Sequence, residues 1–182
     1  RSLVAQLTER HPNRRIVIST ITDTGQEIVR NIPNVSAIFY LPLDFGWCVR
    51  KAIGLIHPSL VVLIENEIWP TLTGELSKQG IPIVMVNGRV SDESYPKYRR
   101  IARFLRPIFD RVGAFLVQTP RDAERFAEIG APKERIEVLG SLKFDVTQVG
   151  ERPDLRKKWR EELKISEDTI LIVAGSTYPG EE

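Results

Sequence analysis

Apolar residues fall into short, β-branched runs separated by stretches with helical spacing. The runs are RIVIST (15–20), SAIFYL (36–41), SLVVLIE (59–65), IPIVMV (81–86), GAFLVQ (113–118), RIEVLG (135–140) and TILIVAG (169–175). Each has the length and bounding residues of a strand, and the intervals leave room for crossover helices. The alternation predicts an α/β fold around a mostly parallel sheet covered on both faces. One helix is written out in full by QTPRDAERFAEIGAP: Thr119 caps, Pro120 takes the first turn and Asp122 holds the capping-box position. Gly130 then supplies a left-handed exit and Pro132 forbids continuation. The stretch VTQVGERPDLRKKWREELKI loses apolar density and carries Gly150 and Pro153 ahead of a charged helix. This pattern divides the chain into a domain over 1–150 and the opening of a second over 151–182.

Composition narrows the class. With 42% hydrophobic residues among 182, the chain can bury a substantial core. The 26 basic and 24 acidic residues nearly cancel, so nucleic acid is not the default partner. The single cysteine, Cys48, excludes an intrachain disulfide framework and fits a reducing compartment. No apolar run approaches the roughly 20 residues of a membrane span. The opening RSLVAQLTERHPNRR lacks Met and the end GSTYPGEE stops just after a predicted strand, which reads as an internal fragment.

Candidate chemistry collects where the strands end, because ligands of open parallel sheets bind beyond the carboxyl ends of the strands. In ENEIWP, Glu65 and Glu67 are two residues apart at the end of an apolar strand, so an extended chain would project both from one side. Pro70 suits the first turn of a helix, with Trp69 as an apolar wall at its entrance. A helix N-terminus favours the charged form of a nearby carboxylate by roughly 0.3 to 1 kcal/mol, so neither Glu reads as a general acid. Each reads as a hydrogen-bond acceptor that orients a hydroxyl or an arginine, or as an ordinary helix-start carboxylate. STITDTGQ offers Thr22 and Thr24 at a strand-to-helix turn, either an anion cradle or plain helix caps. NGRVSDES carries Asn87-Gly88 as a turn signal, with Arg89 free to clamp a phosphate or carboxylate or to pair with Glu65 or Glu67. YPKYRRIARFLRPIFDR is a basic amphipathic helix with Arg99 and Arg103 beside an apolar stripe, expected to kink or end at Pro107. Such a helix suits an anionic lipid surface or a phosphorylated head group, and equally a solvated basic face. His11 and His57 have no partner at metal-ligand spacing, and neither a nucleophile elbow nor a glycine-rich nucleotide fingerprint occurs.

LPLDF (41–45), ENEIWP, VNGRVSDES, QTPRDAERFAEIGA, GSLKFD (140–145) and AGSTYPGEE occur in an order and at intervals that resemble the Kdo transferases of bacterial lipopolysaccharide synthesis. The resemblance runs across nearly the whole chain. It implies a GT-B glycosyltransferase, two Rossmann-like domains facing a cleft. The chain would supply most of the N-terminal acceptor domain, without its first strand and anchor, and the start of the CMP-Kdo-binding domain. It implies inverting transfer of 3-deoxy-D-manno-octulosonic acid from CMP-Kdo to a lipid A precursor, lipid IVA, with no metal or cofactor, on the cytoplasmic face of the inner membrane. Within that family Glu65 matches the first acid of the E-x-E-[IL]-W-P motif and helps organise acceptor or reaction centre. The resemblance turns Lys143, Asp145, Ser176, Thr177 and Glu181 to the donor side, while the residue readings above put Glu67, Thr22, Thr24, Arg89, Arg99 and Arg103 on the acceptor side. Two departures stand out. The family's proposed base lies in a Ser-Val-Gly-Glu type motif that these residues lack, so the fragment alone is expected to be inactive, and Tyr178 stands where many members have His. The competing readings are a non-catalytic nucleotide- or phosphate-binding α/β module and a GT-B transferase using another nucleotide sugar.

Overall fold

A computed structural model describes residues 2–142 and 153–166. The chain divides into two compact units, Arg1–Asp145 and Val146–Glu182. The first unit begins α1 (Ser2–Arg10), β1 (Val17–Thr20), α2 (Asp23–Arg30), β2 (Ala37–Tyr40), α3 (Gly46–Ile56) and β3 (Val61–Ile64). It continues with α4 (Pro70–Lys78), β4 (Ile83–Gly88), α5 (Tyr95–Arg100), α6 (Ala102–Phe109), β5 (Ala114–Val117), α7 (Pro120–Glu128) and β6 (Ile136–Val138). In the second unit the described element is α8 (Pro153–Glu162), starting at the proline expected to open a charged helix. The predicted strand 169–175 lies outside the described residues.

Each of the other six apolar runs contains a strand, and all pairings are parallel, as crossover helices require. The fold is α/β and Rossmann-like. The single sheet expected from the pattern is instead two ladders among the described residues, β1-β2 and β3-β4-β5-β6. Periodicity identifies strands but not their neighbours, and β3 shows the difference. Its VVLI sequence suits an interior strand, yet among the described residues it pairs with β4 alone, and Ile64 is 44% exposed.

Register builds the core. Leu63, Met85 and Phe115 stand in line across β3, β4 and β5. The same face meets Val49 and Ile53 of α3, Leu76 of α4, Leu105 and Phe109 of α6 and Phe126 of α7 in one buried cluster. Phe109, Phe115 and Phe126 pack as a trio, with ring centroids 5.5 to 6.1 Å apart. The opposite face, with Val62, Val84, Val86 and Leu116, is only half-buried among the described residues, short of the two-sided cover expected.

Two local expectations change. Asn87-Gly88 is not a turn but the bulged end of β4: pairing skips from Val86 to Gly88, and Asn87 takes φ 61. Gly88 is closely packed, since a Cβ there would lie 3.1 Å from the Phe126 ring and 3.2 Å from Val117, and both side chains would have to give by a few tenths of an ångström. The basic helix breaks at Ile101, not at Pro107, which α6 contains without ending. The break makes two short helices, and the second turns Leu105 and Phe109 into the core. The α7 cap and exit are as read: Thr119 accepts the N–H of Asp122 at 3.1 Å, and Gly130 leaves with φ 111, but the Asp122 carboxylate bonds the Thr119 hydroxyl and the Val90 N–H and does not close a capping box.

Candidate functional site

The loops at the carboxyl ends of the strands are tied by side-chain to backbone bonds, and these can be followed one by one. After β1, Thr22 caps α2 by accepting the N–H of Gly25 at 3.1 Å, so its hydroxyl oxygen is used as a cap. Thr24 is exposed on the first turn. Asp23 beside them accepts the hydroxyl of Tyr40 at the end of β2, and that bond raises the tyrosine's pKa. The cradle thus already contains a carboxylate of its own.

The loop after β2 reaches the loop after β3 through Asp44. Its two carboxylate oxygens accept the backbone N–H groups of Thr71 and Leu72, both at 2.9 Å. These are first-turn donors of α4, whose N-cap residue, Trp69, has no capping side chain. Asp44 supplies from a distant loop the cap that tryptophan cannot. Pro70 opens α4 as expected.

Between β3 and α4 lies the ENE stretch. The chain leaves the ladder at Glu65, whose N–H makes a last bond to Val86 and whose φ is 63. A left-handed glutamate interrupts extended geometry, so the expectation that strand alternation puts Glu65 and Glu67 on one side does not hold. The two acids differ in use. Glu67 accepts the indole N–H of Trp69 at 2.7 Å, which makes the half-buried tryptophan a hydrogen-bonding partner as well as a wall. The exposed carboxylate of Glu65 has no hydrogen bond or ion pair among the described residues. Non-glycine residues held left-handed carry a cost that surrounding contacts must overcome, and such positions cluster at functional sites.

Asn66, between the two acids, fastens this loop to the next. Its Oδ1 accepts the N–H of Arg89 at 3.1 Å and its Nδ2 donates to the Arg89 carbonyl, so one side-chain amide satisfies both backbone groups of that residue. The Arg89 side chain is exposed and pairs with neither glutamate among the described residues, contrary to one of the sequence alternatives. Beyond it, Asp92 bonds with Arg125 and lies 2.7 Å from Arg121. The Arg125 bond, with the charges of Arg121, Arg125 and Arg89, holds the Asp92 carboxyl below the usual carboxylate range.

Below these loops the rim is tied down at buried positions. Asp122 accepts the N–H of buried Val90 at 2.8 Å, so this carboxylate bonds a neighbouring loop in addition to the Thr119 hydroxyl. Asn87, also left-handed, accepts the N–H of Leu142 at 3.1 Å, while its carbonyl takes the Gln118 amide at 3.1 Å. Sequence reasoning missed Asp44, Asn66, Asn87 and Asp122 as organisers. The readable signals were an Asn between two acids at a strand end and an Asp inside LPLDF.

The structure therefore brings Glu65, Glu67 and Arg89 together on bonded loops, while Thr22 and Thr24 flank Asp23, whose bond to Tyr40 ties the start of α2 to the end of β2. Arg99 and Arg103 lie farther along α5 and α6, exposed, on either side of the Ile101 break. Arg99 lines an open depression with Tyr95, Pro96 and Arg100. Lys143, Asp145, Ser176, Thr177 and Glu181 lie outside the described residues. Among the described residues no group of three His, Cys, Asp or Glu side chains is arranged to hold a metal ion, and no helix is long and apolar enough to cross a membrane.

Comparison with known proteins completes the picture. The sequence model of the family described as 3-Deoxy-D-manno-octulosonic-acid transferase (kdotransferase) matches residues 1–146. A bifunctional glycosyltransferase/methyltransferase of Fusobacterium nucleatum is 36% identical over 172 residues, 93% of this chain and 27% of that protein. A 3-deoxy-D-manno-octulosonic acid transferase of Chlamydophila psittaci is 32% identical, with 97% of this chain and 41% of the relative covered. The Haemophilus influenzae protein of the same description is 31% identical, with 99% and 42% covered. The chain spans less than half the length of these relatives. With the family model covering most of its residues and the relatives aligned almost end to end with it, this chain belongs to the 3-deoxy-D-manno-octulosonic-acid transferase family.

Proposed function

We propose that the protein carrying this chain is a glycosyltransferase of lipopolysaccharide synthesis. It moves 3-deoxy-D-manno-octulosonic acid from CMP-Kdo to a hydroxyl of a lipid A precursor such as lipid IVA, with inversion and without a metal. The chain supplies the acceptor side of a GT-B cleft at the cytoplasmic face of the inner membrane. The observation that carries this reading is Glu65. Its carboxylate, without a hydrogen bond or ion pair among the described residues, sits at a left-handed strand end, locked by Asn66 to the loop that presents the exposed Arg89, whose guanidinium makes no salt bridge among the described residues. Transfer to a hydroxyl needs a group that orients the nucleophile, a base that takes its proton, and positive charge near the phosphates. Glu65 accepts a hydrogen bond from the attacking hydroxyl and fixes its direction. Arg89 faces an anionic group of acceptor or donor, with two-point geometry available to its guanidinium.

Arg99 and Arg103, on an exposed basic face, attract the acceptor's phosphates and the anionic surface in which it is embedded. Thr22 and Thr24, on the turn after β1, contact acceptor hydroxyls. Lys143, Asp145, Ser176, Thr177 and Glu181 serve CMP-Kdo, a role carried over from the family motifs alone. The base belongs to a Ser-Val-Gly-Glu type motif, which these residues do not contain, so the activity is proposed for a protein that combines both.

The test is a transfer assay with the full-length protein, CMP-Kdo and tetraacyl lipid A precursor. The acceptor should gain one or more Kdo units by mass. Absence of transfer, with transfer from a different nucleotide sugar, would establish another glycosyltransferase.

A further inference from the structure

Past β6 the chain is poorly buried, yet it follows a defined path across the strand ends. Leu139 is 60% exposed, Gly140 is exposed, and Ser141 and Leu142 are half-buried. Hydrogen bonds set the course. The Leu139 N–H donates to the Val117 carbonyl at 3.0 Å, the chain turns at Gly140 with φ 87, and the Leu142 N–H donates to Asn87 Oδ1 at 3.1 Å. The second bond carries the segment from the end of β5 to the end of β4, where Leu142 lines a cavity of about 70 Å³ with Val86, Asn87 and Leu116.

Asn87 is placed for this bond by the strand it belongs to. The register shift between Val86 and Gly88 takes Asn87 out of the ladder, and bulges re-aim the side chain they displace. Its φ of 61 is one that asparagine tolerates better than most residues. One glutamine then holds the backbone on both sides. The Gln118 side-chain amide donates to the Asn87 carbonyl at 3.1 Å, and the Gln118 N–H donates to the Gly88 carbonyl at 3.0 Å. Asn87 is 6% exposed, and a buried acceptor is costly to leave empty. Because an amide accepts only through its oxygen, the Leu142 N–H also decides which way the side chain faces.

The neighbours of this bond give it a consequence. Leu142 immediately precedes Lys143, the first of the residues turned to the donor side, and Arg89 follows Asn87 by two positions. One buried amide therefore joins the loop that presents Arg89 to the segment that leads to Lys143. We propose that Asn87 is a positioning residue for the donor: by holding the Leu142 N–H it fixes the point from which the donor-side segment departs relative to the Arg89 loop. The role in transfer rests on the proposed transferase reading.

Two measurements on the full-length protein test it. Amide hydrogen exchange reads the tie without substrate. Asn87→Gly keeps the left-handed backbone and removes the acceptor, so exchange at Leu142 should quicken about tenfold while Met85 and Phe115 change far less. Asn87→Asp keeps an acceptor oxygen and should restore slow exchange. Gln118→Leu releases the Asn87 carbonyl but leaves its side chain, an independent variant that should shift Leu142 the same way by a smaller factor. Circular dichroism confirms that each variant is folded. Transfer from CMP-Kdo to tetraacyl lipid A precursor reads the role: Asn87→Gly should raise the donor KM about tenfold and leave the acceptor KM unchanged, with Asn87→Asp near the parent. A merely structural role would lower the folded fraction, and kcat with it, without moving the donor KM. Parental exchange at Leu142 in both Asn87→Gly and Gln118→Leu refutes the tie, and faster exchange with an unchanged donor KM refutes the positioning role. Absence of transfer by the unaltered protein overturns the transferase reading and the positioning role together, even where the exchange result stands.

Discussion

Asp44 offers the sharpest energetic test of how the rim is built. Replacing it with Ala removes both acceptors for the Thr71 and Leu72 N–H groups and the only side-chain cap of α4 described here. Hydrogen bonds to a charged group are worth about 1.5 to 3 kcal/mol, and loss of an N-cap typically costs about 0.5 to 2 kcal/mol. The two donors are half-buried, so water partly replaces the carboxylate and the charged-bond values do not simply add. A net loss of about 2 to 3 kcal/mol follows for Asp44→Ala. Asp44→Asn keeps one acceptor and loses the charge that favours a helix N-terminus, for about 1 kcal/mol. For a chain of this size the Ala variant should melt about 4 to 12 °C lower. Urea denaturation followed by far-UV circular dichroism measures both changes, with an unchanged slope as evidence that the unfolded ensemble is unaffected. A loss below about 0.5 kcal/mol in the Ala variant would refute the idea that this carboxylate ties the two loops together.

Other outcomes follow from the same geometry. Gly88→Ala drives a methyl group against Phe126 and Val117 and should destabilise by about 2 kcal/mol in chemical denaturation, whereas a neutral result would mean that the trio is loosely packed. Asn66→Ala should cost only about 1 kcal/mol of stability yet reduce the kcat of the proposed transfer by the full-length protein about tenfold, and Asn66→Asp, which keeps the acceptor for the Arg89 N–H, should fall between. Equal activity in both variants would separate the clasp from function. Glu75 and Asp92 hold depressed pKa values, the first mainly through its bond to Lys78 and the second through Arg125. Their contribution is present above the ordinary carboxylate range, near pH 4, and is lost as pH falls through that range to the lower folded values. Urea midpoints measured from pH 6 downward should therefore drop more steeply in the parent chain than in Glu75→Gln, and parallel curves would remove Glu75 from the account.

Much of this architecture is legible in the sequence because periodicity and capping are local. The β-branched runs located the strands, and Thr119, Pro120 and Gly130 marked α7 to within a residue or two. What the sequence conceals is pairing across distance. Nothing local in VVLI shows that β3 pairs with β4 alone among the described residues, and Asn87-Gly88 reads as a turn until the Phe126 ring is placed beside it. The break at Ile101 likewise reflects the demand that Leu105 and Phe109 reach the core, which outweighs the weaker local signal of Pro107. The candidate site divides in the same way. Glu65, Glu67 and Arg89 could be named from motifs, but the residues that organise them bond to partners over 20 positions away, as Asp44 does to Thr71 and Asn66 to Arg89.

The account depends most on Glu65 as the group that orients the acceptor hydroxyl. Glu65→Gln in the full-length protein, assayed with CMP-Kdo and tetraacyl lipid A precursor, should lower kcat on the order of a hundredfold. The donor KM and the urea midpoint should stay near those of the parent. A variant that turns over at the parental rate while folding normally would contradict it.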